Sequence, residues 1–305
     1  MDQLWKQNSA YGSTSGGPPD TRGAVGFVRW SRLPYRSQAS SSGKQMPYNP
    51  ARFTALTALL VLPALSLAPT TTRYRIDQSL FQEIDATAAG GAKQVISFST
   101  SSFITVTLAD SAGGKVMRVV IDSLKGDSAT PIPAAVLDSA RGAEFRGFVE
   151  RSGRPTGLEP VHGTSAITQV QGLLSDFYPW SKAGIRVGQS WTDTTAKVNG
   201  VGVDSVTVRR VSAYKAAPTE NRQPRNSVMI IEDFSSSIAG TQPTPSGSAR
   251  IEGTGSGKGS YYLGTDGKYL GGTWQQHSSL KISGSFAPEP LPLTITQKIK
   301  VTTLK

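Results

Sequence analysis

From Arg73 onward, apolar and polar side chains exchange places residue by residue. They do so in Arg73-Tyr-Arg-Ile-Asp-Gln-Ser-Leu80, in Val95-Ile-Ser-Phe-Ser99 and, after a break at 100–102, in Phe103-Ile-Thr-Val-Thr-Leu108. A period of two is that of a half-buried β-strand, whose successive side chains point to opposite faces of a sheet. Val116-Met-Arg-Val-Val-Ile121 follows Ala112-Gly-Gly-Lys115, a hairpin turn by composition. Further strands are predicted at 143–150, 184–193, 201–213, 227–234, 248–253, 259–263, 270–276, 280–286 and 293–303. One stretch keeps a different period. Ile167, Val170, Leu173 and Leu174 recur at three- and four-residue steps, which predicts a helix over 165–177, opened by a Ser/Thr cap and stopped before Pro179. The pattern is that of an all-β, mainly antiparallel protein with one connecting helix. The expected architecture is two similar curved sheets or half-barrels around a common core.

Two parts of the chain match each other. Phe148-Val-Glu-Arg-Ser-Gly153-Arg-Pro-Thr-Gly157 parallels Tyr262-Leu-Gly-Thr-Asp-Gly267-Lys-Tyr-Leu-Gly271: an aromatic residue, a turn closed by Gly, a basic residue, and a second Gly four further on. Upstream of each lies a similar strand, Val116-Met-Arg-Val-Val-Ile and Val228-Met-Ile-Ile-Glu-Asp, 37 and 39 residues ahead of the shared Gly. Two matched pairs at nearly equal spacing point to a duplicated β domain over 69–305, with halves at about 73–162 and 186–305 joined by the helix. The competing explanation is that Ser-Gly-Arg and Asp-Gly-Lys are simply good turns.

The junction carries its own signature. In Tyr178-Pro179-Trp-Ser-Lys-Ala-Gly-Ile-Arg-Val-Gly188-Gln-Ser-Trp191, an aromatic-Pro pair precedes Val-Gly-x-x-Trp. Val187-Gly188 offers a turn, and Trp191 a large anchor at the start of the second half. This segment and the later Gly-containing hairpin resemble a group of uncharacterised secreted or lipid-anchored bacterial proteins with a duplicated β domain. The resemblance covers most of 73–305 and implies fold and export, with no settled biochemistry. The chain departs from it at Gln189, where an acidic residue is commoner, and in lacking a lipid-attachment cysteine.

Ahead of this domain the pattern changes. Met46–Ala68 has one basic residue, Arg52, and then a mainly apolar run from Phe53 that includes Pro63 and ends in small residues. It reads as a secretory signal peptide. A membrane-spanning helix needs about 20 apolar residues, and a retained signal-anchor or a buried core helix are the alternatives. Cleavage after Ala68 would leave Pro69 just past the cut, where its locked φ and missing N–H make a poor protease substrate; cleavage after Ser66 avoids this. Residues 1–45, rich in Ser, Gly, Arg and Gln, are either an upstream start assigned in error, with Met46 the first residue, or a flexible cytoplasmic tail. The expected location is extracytoplasmic, in the periplasm or secreted, with membrane contact only through the signal peptide or anchor.

Composition bears on the chemistry. With no cysteine, disulfides, thiolate chemistry, Cys-based metal sites and a lipoprotein anchor are all excluded. Two histidines, His162 and His277, give little basis for an imidazole site, and each is read as an exposed polar residue. The net charge of +11 looks like a nucleic-acid signal. Five of those charges, however, come from Lys6, Arg22, Arg29, Arg32, Arg36, Lys44 and Arg52 set against Asp2 and Asp20. The remainder is interspersed, so no nucleic-acid partner is expected. Glu252-Gly-Thr-Gly-Ser-Gly-Lys-Gly-Ser260 superficially resembles a phosphate loop, but Glu252 stands where the first Gly belongs and Gly259 where the Ser/Thr belongs. No Gly-x-Ser-x-Gly elbow occurs, the carboxylates are scattered, and no cofactor or metal site is expected. The expected function is an exported, non-enzymatic binding protein of the cell envelope. By analogy with periplasmic lipoprotein carriers, it would hold a lipid or other apolar molecule in the concavity facing the helix. A structural or adhesive envelope protein binding another protein or a polysaccharide is the alternative, and a carboxylate-dependent hydrolase the remote one.

Overall fold

The computed structural model describes residues 68–87, 90–174, 177–201, 204–219, 226–244, 247–285 and 287–305. The extension 1–45, almost all of the segment read as a signal peptide, and its cleavage position at Ser66 lie outside the described residues. The first half contributes β1 (Thr70–Asp85), β2 (Lys93–Ser111), β3 (Gly114–Gly126), a short helix α1 (Ala134–Ser139), β4 (Glu144–Glu150) and β5 (Glu159–Pro160). Helix α2 (Ser165–Gln171) continues as a 3-10 turn, Gly172–Leu174. The second half contributes β6 (Ser190–Val201), β7 (Asp204–Ala217), β8 (Ser227–Thr244), β9 (Gly247–Gly264), β10 (Tyr269–Gly284) and β11 (Ala287–Leu304).

All pairings are antiparallel, in the order β5-β4-β3-β2-β1-β11-β10-β9-β8-β7-β6, giving one curved sheet that does not close into a barrel. The expected all-β class with a connecting helix is what the fold shows. The two halves join edge to edge, because β1 pairs with β11 from Arg73↔Leu304 to Ile84↔Leu293. They therefore share one sheet.

Local differences from the sequence pattern have physical reasons. β2 runs unbroken through 100–102, because Thr100 and Ser102 are inward-facing residues opposite Gln78 and Ile76, and are buried despite being polar. The strand expected from Gly184 begins only at Ser190, after a turn in which Gly188 holds φ +89°. Helix α1 was not anticipated, since six residues with a single buried side chain, Leu137, leave no period to detect. Helix α2 starts as expected, with the Thr164 hydroxyl accepting the Ile167 N–H at 3.2 Å, but its regular part ends at Gln171 rather than near Phe177.

The inner face holds two apolar clusters. The larger joins Tyr74, Ile76, Ile104, Phe145, Ile230, Tyr261 and Tyr269 of the sheet to Leu137 of α1, Val170 of α2, and Leu174, Phe177 and Tyr178 beyond it. The smaller lies toward the other end of the strands and contains Ile84, Val206, Ile238, Ile251, Leu280 and Leu293. Polar inward residues separate them, among them buried Ser278 and the Gln276 amide, which donates to Gln297 at 3.1 Å.

The glycine run is neither a phosphate loop nor a segment between strands; it is the middle of β9. Gly253, Gly255, Gly257 and Gly259 all fall on the inner face, alternating with Thr254, Ser256 and Lys258 outside. Glycine is required here by space. A Cβ on Gly257 would overlap the Phe234 ring, and one on Gly259 would overlap the Trp274 indole. Ordinarily Gly→Ala in a strand interior gains roughly 0.5–1 kcal/mol. Here the overlap reverses the sign: Gly257→Ala is expected to destabilise the protein by about 1–3 kcal/mol, while outward Ser256→Ala stays within about 0.5 kcal/mol. Urea midpoints of the two variants check this, and a higher midpoint for Gly257→Ala would contradict the packing.

Candidate binding groove on the outer face

Leu173, Leu174 and residues 177–183 lie over the inner face, and the sheet's inward polar groups bond to their backbone. Gln78 Nε2 donates to the Leu173 carbonyl at 2.8 Å, and the Tyr261 hydroxyl to the Trp180 carbonyl at 2.9 Å. Pro179 is buried beside Phe177 and Tyr178, and the Tyr178 ring meets Tyr269 edge-on at 5.4 Å. The two matched turns flank this segment. In the first, Glu150 N–H donates to Arg154 O at 2.9 Å and Gly153 N–H to Glu150 O at 2.8 Å; in the second, Gly264 N–H donates to Lys268 O at 2.8 Å and Gly267 N–H to Gly264 O at 2.9 Å. Gly153 and Gly267 hold φ +89° and +81°, and any Cβ there would press on Ser181 or Ala183. Gly271 (φ +107°) sits at a β-bulge between Tyr269 and Gly272, whereas Gly157 is exposed and has no left-handed φ.

The Val-Gly-x-x-Trp signature is a turn plus an anchor. Gly188 N–H donates to Ala216 O at 2.8 Å, and Gln189 closes the turn by accepting the Arg186 N–H at 3.0 Å on its side chain. A carboxylate could accept the same bond. Trp191 stacks on Tyr214 at 5.2 Å and lies against Trp180 at 4.6 Å. Its indole N–H is buried without a partner, at a cost of about 1–3 kcal/mol. Burying an aromatic side chain removes roughly 150–250 Å² from water, and at about 25 cal/mol per Å² even a partial share offsets that cost. All these residues are accounted for by packing and backbone geometry.

Arg210 and Glu232 form a charged pair on the inner face. Glu232, 4% exposed, accepts from Arg210 Nη2 at 2.6 Å and from the Trp274 indole at 3.0 Å, while the Arg210 guanidinium lies 3.5 Å from the Phe234 ring centre. Arg210 also reaches Ser212 at 3.1 Å. The carboxylate's charge is matched and its oxygens are occupied, which is the condition for burying it. At the open side, Arg154 bonds Asp193 of β6 with two nitrogens and the Thr194 carbonyl at 3.1 Å. It thereby ties the turn after β4 to the opposite edge strand.

The outer face offers something different. A groove of about 920 Å³ crosses β9, β10, β11, β1, β2 and the end of β3. Cross-strand register builds it from two rows. One runs Lys258, Gln275, Lys298, Ser79, Ser99; the other runs Ser260, Thr273, Lys300, Asp77, Ser101, Lys125. Lys125, Lys258, Lys298 and Lys300 are exposed, and among the described residues none of the four forms an ion pair. The two carboxylates of the groove are engaged. Asp77 takes Arg75 Nε at 2.9 Å and the Ser101 hydroxyl; Asp127 accepts the Ser99 N–H at 2.7 Å, the Ala129 N–H at 3.0 Å and the Thr130 hydroxyl at 3.0 Å. The result is a field of unpaired ammonium groups among hydroxyls and amides.

Among the described residues no group of three or more His, Asp or Glu side chains could hold a metal, and no helix is long and apolar enough to cross a membrane. His277, expected at a strand end, lies within β10, its ring nitrogen 3.2 Å from the Thr296 hydroxyl. Comparison of the chain with models of known protein families and with curated proteins returned no match.

Two outcomes follow from the inner face. Burial, with the Glu232 charge adding to it, pushes the Tyr214 hydroxyl up to about 12, and burial raises Tyr74, Tyr178, Tyr261 and Tyr269 in the same direction. A folded state that keeps these phenols neutral binds more protons than the unfolded chain above pH 10. Stability is therefore complete below pH 10 and falls as pH rises through 12; urea midpoints from pH 9 to 12 check it, and a flat profile would contradict it. Arg210→Met strands the Glu232 carboxylate, with an expected loss of about 3 kcal/mol. The double variant Arg210→Met/Glu232→Gln should recover part of that loss in the same unfolding assay.

Proposed function

We propose that this chain is an exported, non-enzymatic binding protein of the cell envelope that engages its ligand on the outer face of the sheet. The observation that carries this reading is the groove in which Lys125, Lys258, Lys298 and Lys300 stand without carboxylate partners. Cations left unpaired in a shared depression attract and orient a partner, because their charge is not spent within the molecule. The inner face supports the apolar-ligand reading less well, since beneath the helices Tyr74, Ile76, Ile104, Phe177 and Tyr261 pack against one another as a core. A paired-carboxylate hydrolase draws no support from Asp77 and Asp127, whose oxygens are taken up in holding Arg75, Ser101 and the 127–130 turn. Export rests on the apolar run of 46–68 and on the resemblance carried by Pro179, Gly188 and Trp191.

The doubled domain belongs to the same proposal. The two turns make the same hydrogen bonds 114 residues apart, from Glu150/Gly264 to Arg154/Lys268. Strand pairing refines the match by one residue. Phe148 stands opposite Val116, but Tyr262 stands opposite Met229, which aligns buried Met117 with buried Ile230 and buried Val119 with buried Glu232.

Amine footprinting of the full chain bound to isolated bacterial envelopes tests the reading. Lys258, Lys298 and Lys300 are expected to be protected from acylation relative to free protein, while Lys281 remains reactive. Native mass spectrometry should show the polypeptide without lipid. Protection that spares the groove, or a lipid retained at one per chain, would move the binding surface to the interior or to an edge.

A further inference from the structure

We infer that the ligand of the outer groove is an acidic polysaccharide, bound along β9 to β3 through its repeating anionic groups. The inference rests on the outer-face reading and adds the partner's chemistry. Lys298 and Lys300, two residues apart on β11, stand about 6.8 Å from each other along the strand. Lys258 lies two strands to one side of β11, and Lys125 three strands to the other. At about 4.8 Å per strand the four ammonium groups extend over roughly 24 Å. A single compact anion would reach one or two of them; a chain carrying a negative charge on successive units can reach all four.

The groups between the cations decide which polyanion fits. Ser79, Ser99, Ser260, Thr273 and Gln275 offer hydroxyls and an amide that can both donate and accept, matching the hydroxyls of a sugar. No aromatic ring projects from these two outer rows. Trp274, between Thr273 and Gln275 on β10, is turned inward onto Glu232 and Gly259. The nearest outward rings, Phe81 on β1 and Phe103 on β2, stand on opposite flanks of the rows, the latter beneath Arg75, so a single-stranded nucleic acid would find charge but no row of rings on which successive bases could stack. Lysine ammoniums, as point charges without the bidentate fork of arginine, suit anions whose orientation varies along a flexible chain.

The test titrates the full chain with labelled polygalacturonate oligomers, the same oligomers fully methyl-esterified, and a single-stranded oligonucleotide of equal charge. Polygalacturonate is expected to bind, more weakly as salt rises. Esterification and the double variant Lys298→Gln/Lys300→Gln are each expected to weaken binding by about tenfold or more, while Lys298→Arg/Lys300→Arg retains it. Circular dichroism shows whether the variants are folded. Equal binding of the esterified oligomer overturns the anionic assignment and leaves the outer-face reading in place. An oligonucleotide bound as tightly overturns the polysaccharide assignment. Acidic oligomers bound equally by wild type and the Gln variant place the contact elsewhere and overturn both readings. Absence of binding to any probe overturns this inference alone, the envelope footprint deciding the other.

Discussion

The strands curl without closing and leave an apolar inner face, whose larger cluster is covered by α1, α2 and residues 177–183. Leu173, Leu174 and residues 177–183 are not α-helical, so their peptide groups need partners that an α-helix would have supplied. The sheet and its turns provide them, through Gln78 and Tyr261 of the inner face and through the Gly153 carbonyl of the turn after β4, which accepts the Ser181 N–H at 2.8 Å. Phe177 and Tyr178 then enter the aromatic group of Tyr74, Tyr261 and Tyr269. Burial and hydrogen bonding act together at one place, and both halves of the sheet contribute. The left-handed glycines of the two matched turns follow from this arrangement, since they bring backbone against backbone on either side of 181–183.

A filled inner face shifts attention to the outer one. The same alternation that points Ile299 and Val301 inward points Lys298 and Lys300 outward. The β9 glycines, which accommodate Phe234 and Trp274 inside, carry Lys258 between them on the other side. Packing and binding surface are thus opposite faces of one register. A slip of a single residue between β10 and β11 would exchange them, which is why the apolar rows fix the position of the cations as firmly as they fix the core.

Much of this was legible in the sequence where the signal is local. Alternation from Arg73, the Gly113 hairpin, the α2 period and the Gly153 and Gly267 turns are all decided by residues within one element of each other. The extension of β2 through Thr100 and Ser102 was not, because two buried polar residues in a row of hydroxyls look like a break until Gln78 and Ile76 are placed opposite them. The glycine run misled for a related reason. Its alternation of Gly with Thr, Ser and Lys is a strand pattern in which the inward residue is absent rather than apolar, and only Phe234 and Trp274, from neighbouring strands, show what occupies the space. The groove is the least local feature of all. Lys125 and Lys300 are brought to one row by the β1–β11 pairing, which joins residues more than two hundred positions apart, so even charge spacing along the chain suggests an ordinary solvated surface.

Glu232 shows what a buried acid requires in this sheet. Val119 of β3, by contrast, is an aliphatic residue buried in the main core. Replacing an aliphatic side chain there by a carboxylate is costly unless several partners arrive together. For Glu232 they are present: Arg210 on β7, itself bonded to Ser212, and Trp274 on β10, whose indole lies where a Cβ on residue 259 would stand. The same glycine-lined strand therefore accommodates the bulky inner residues and the one buried acid.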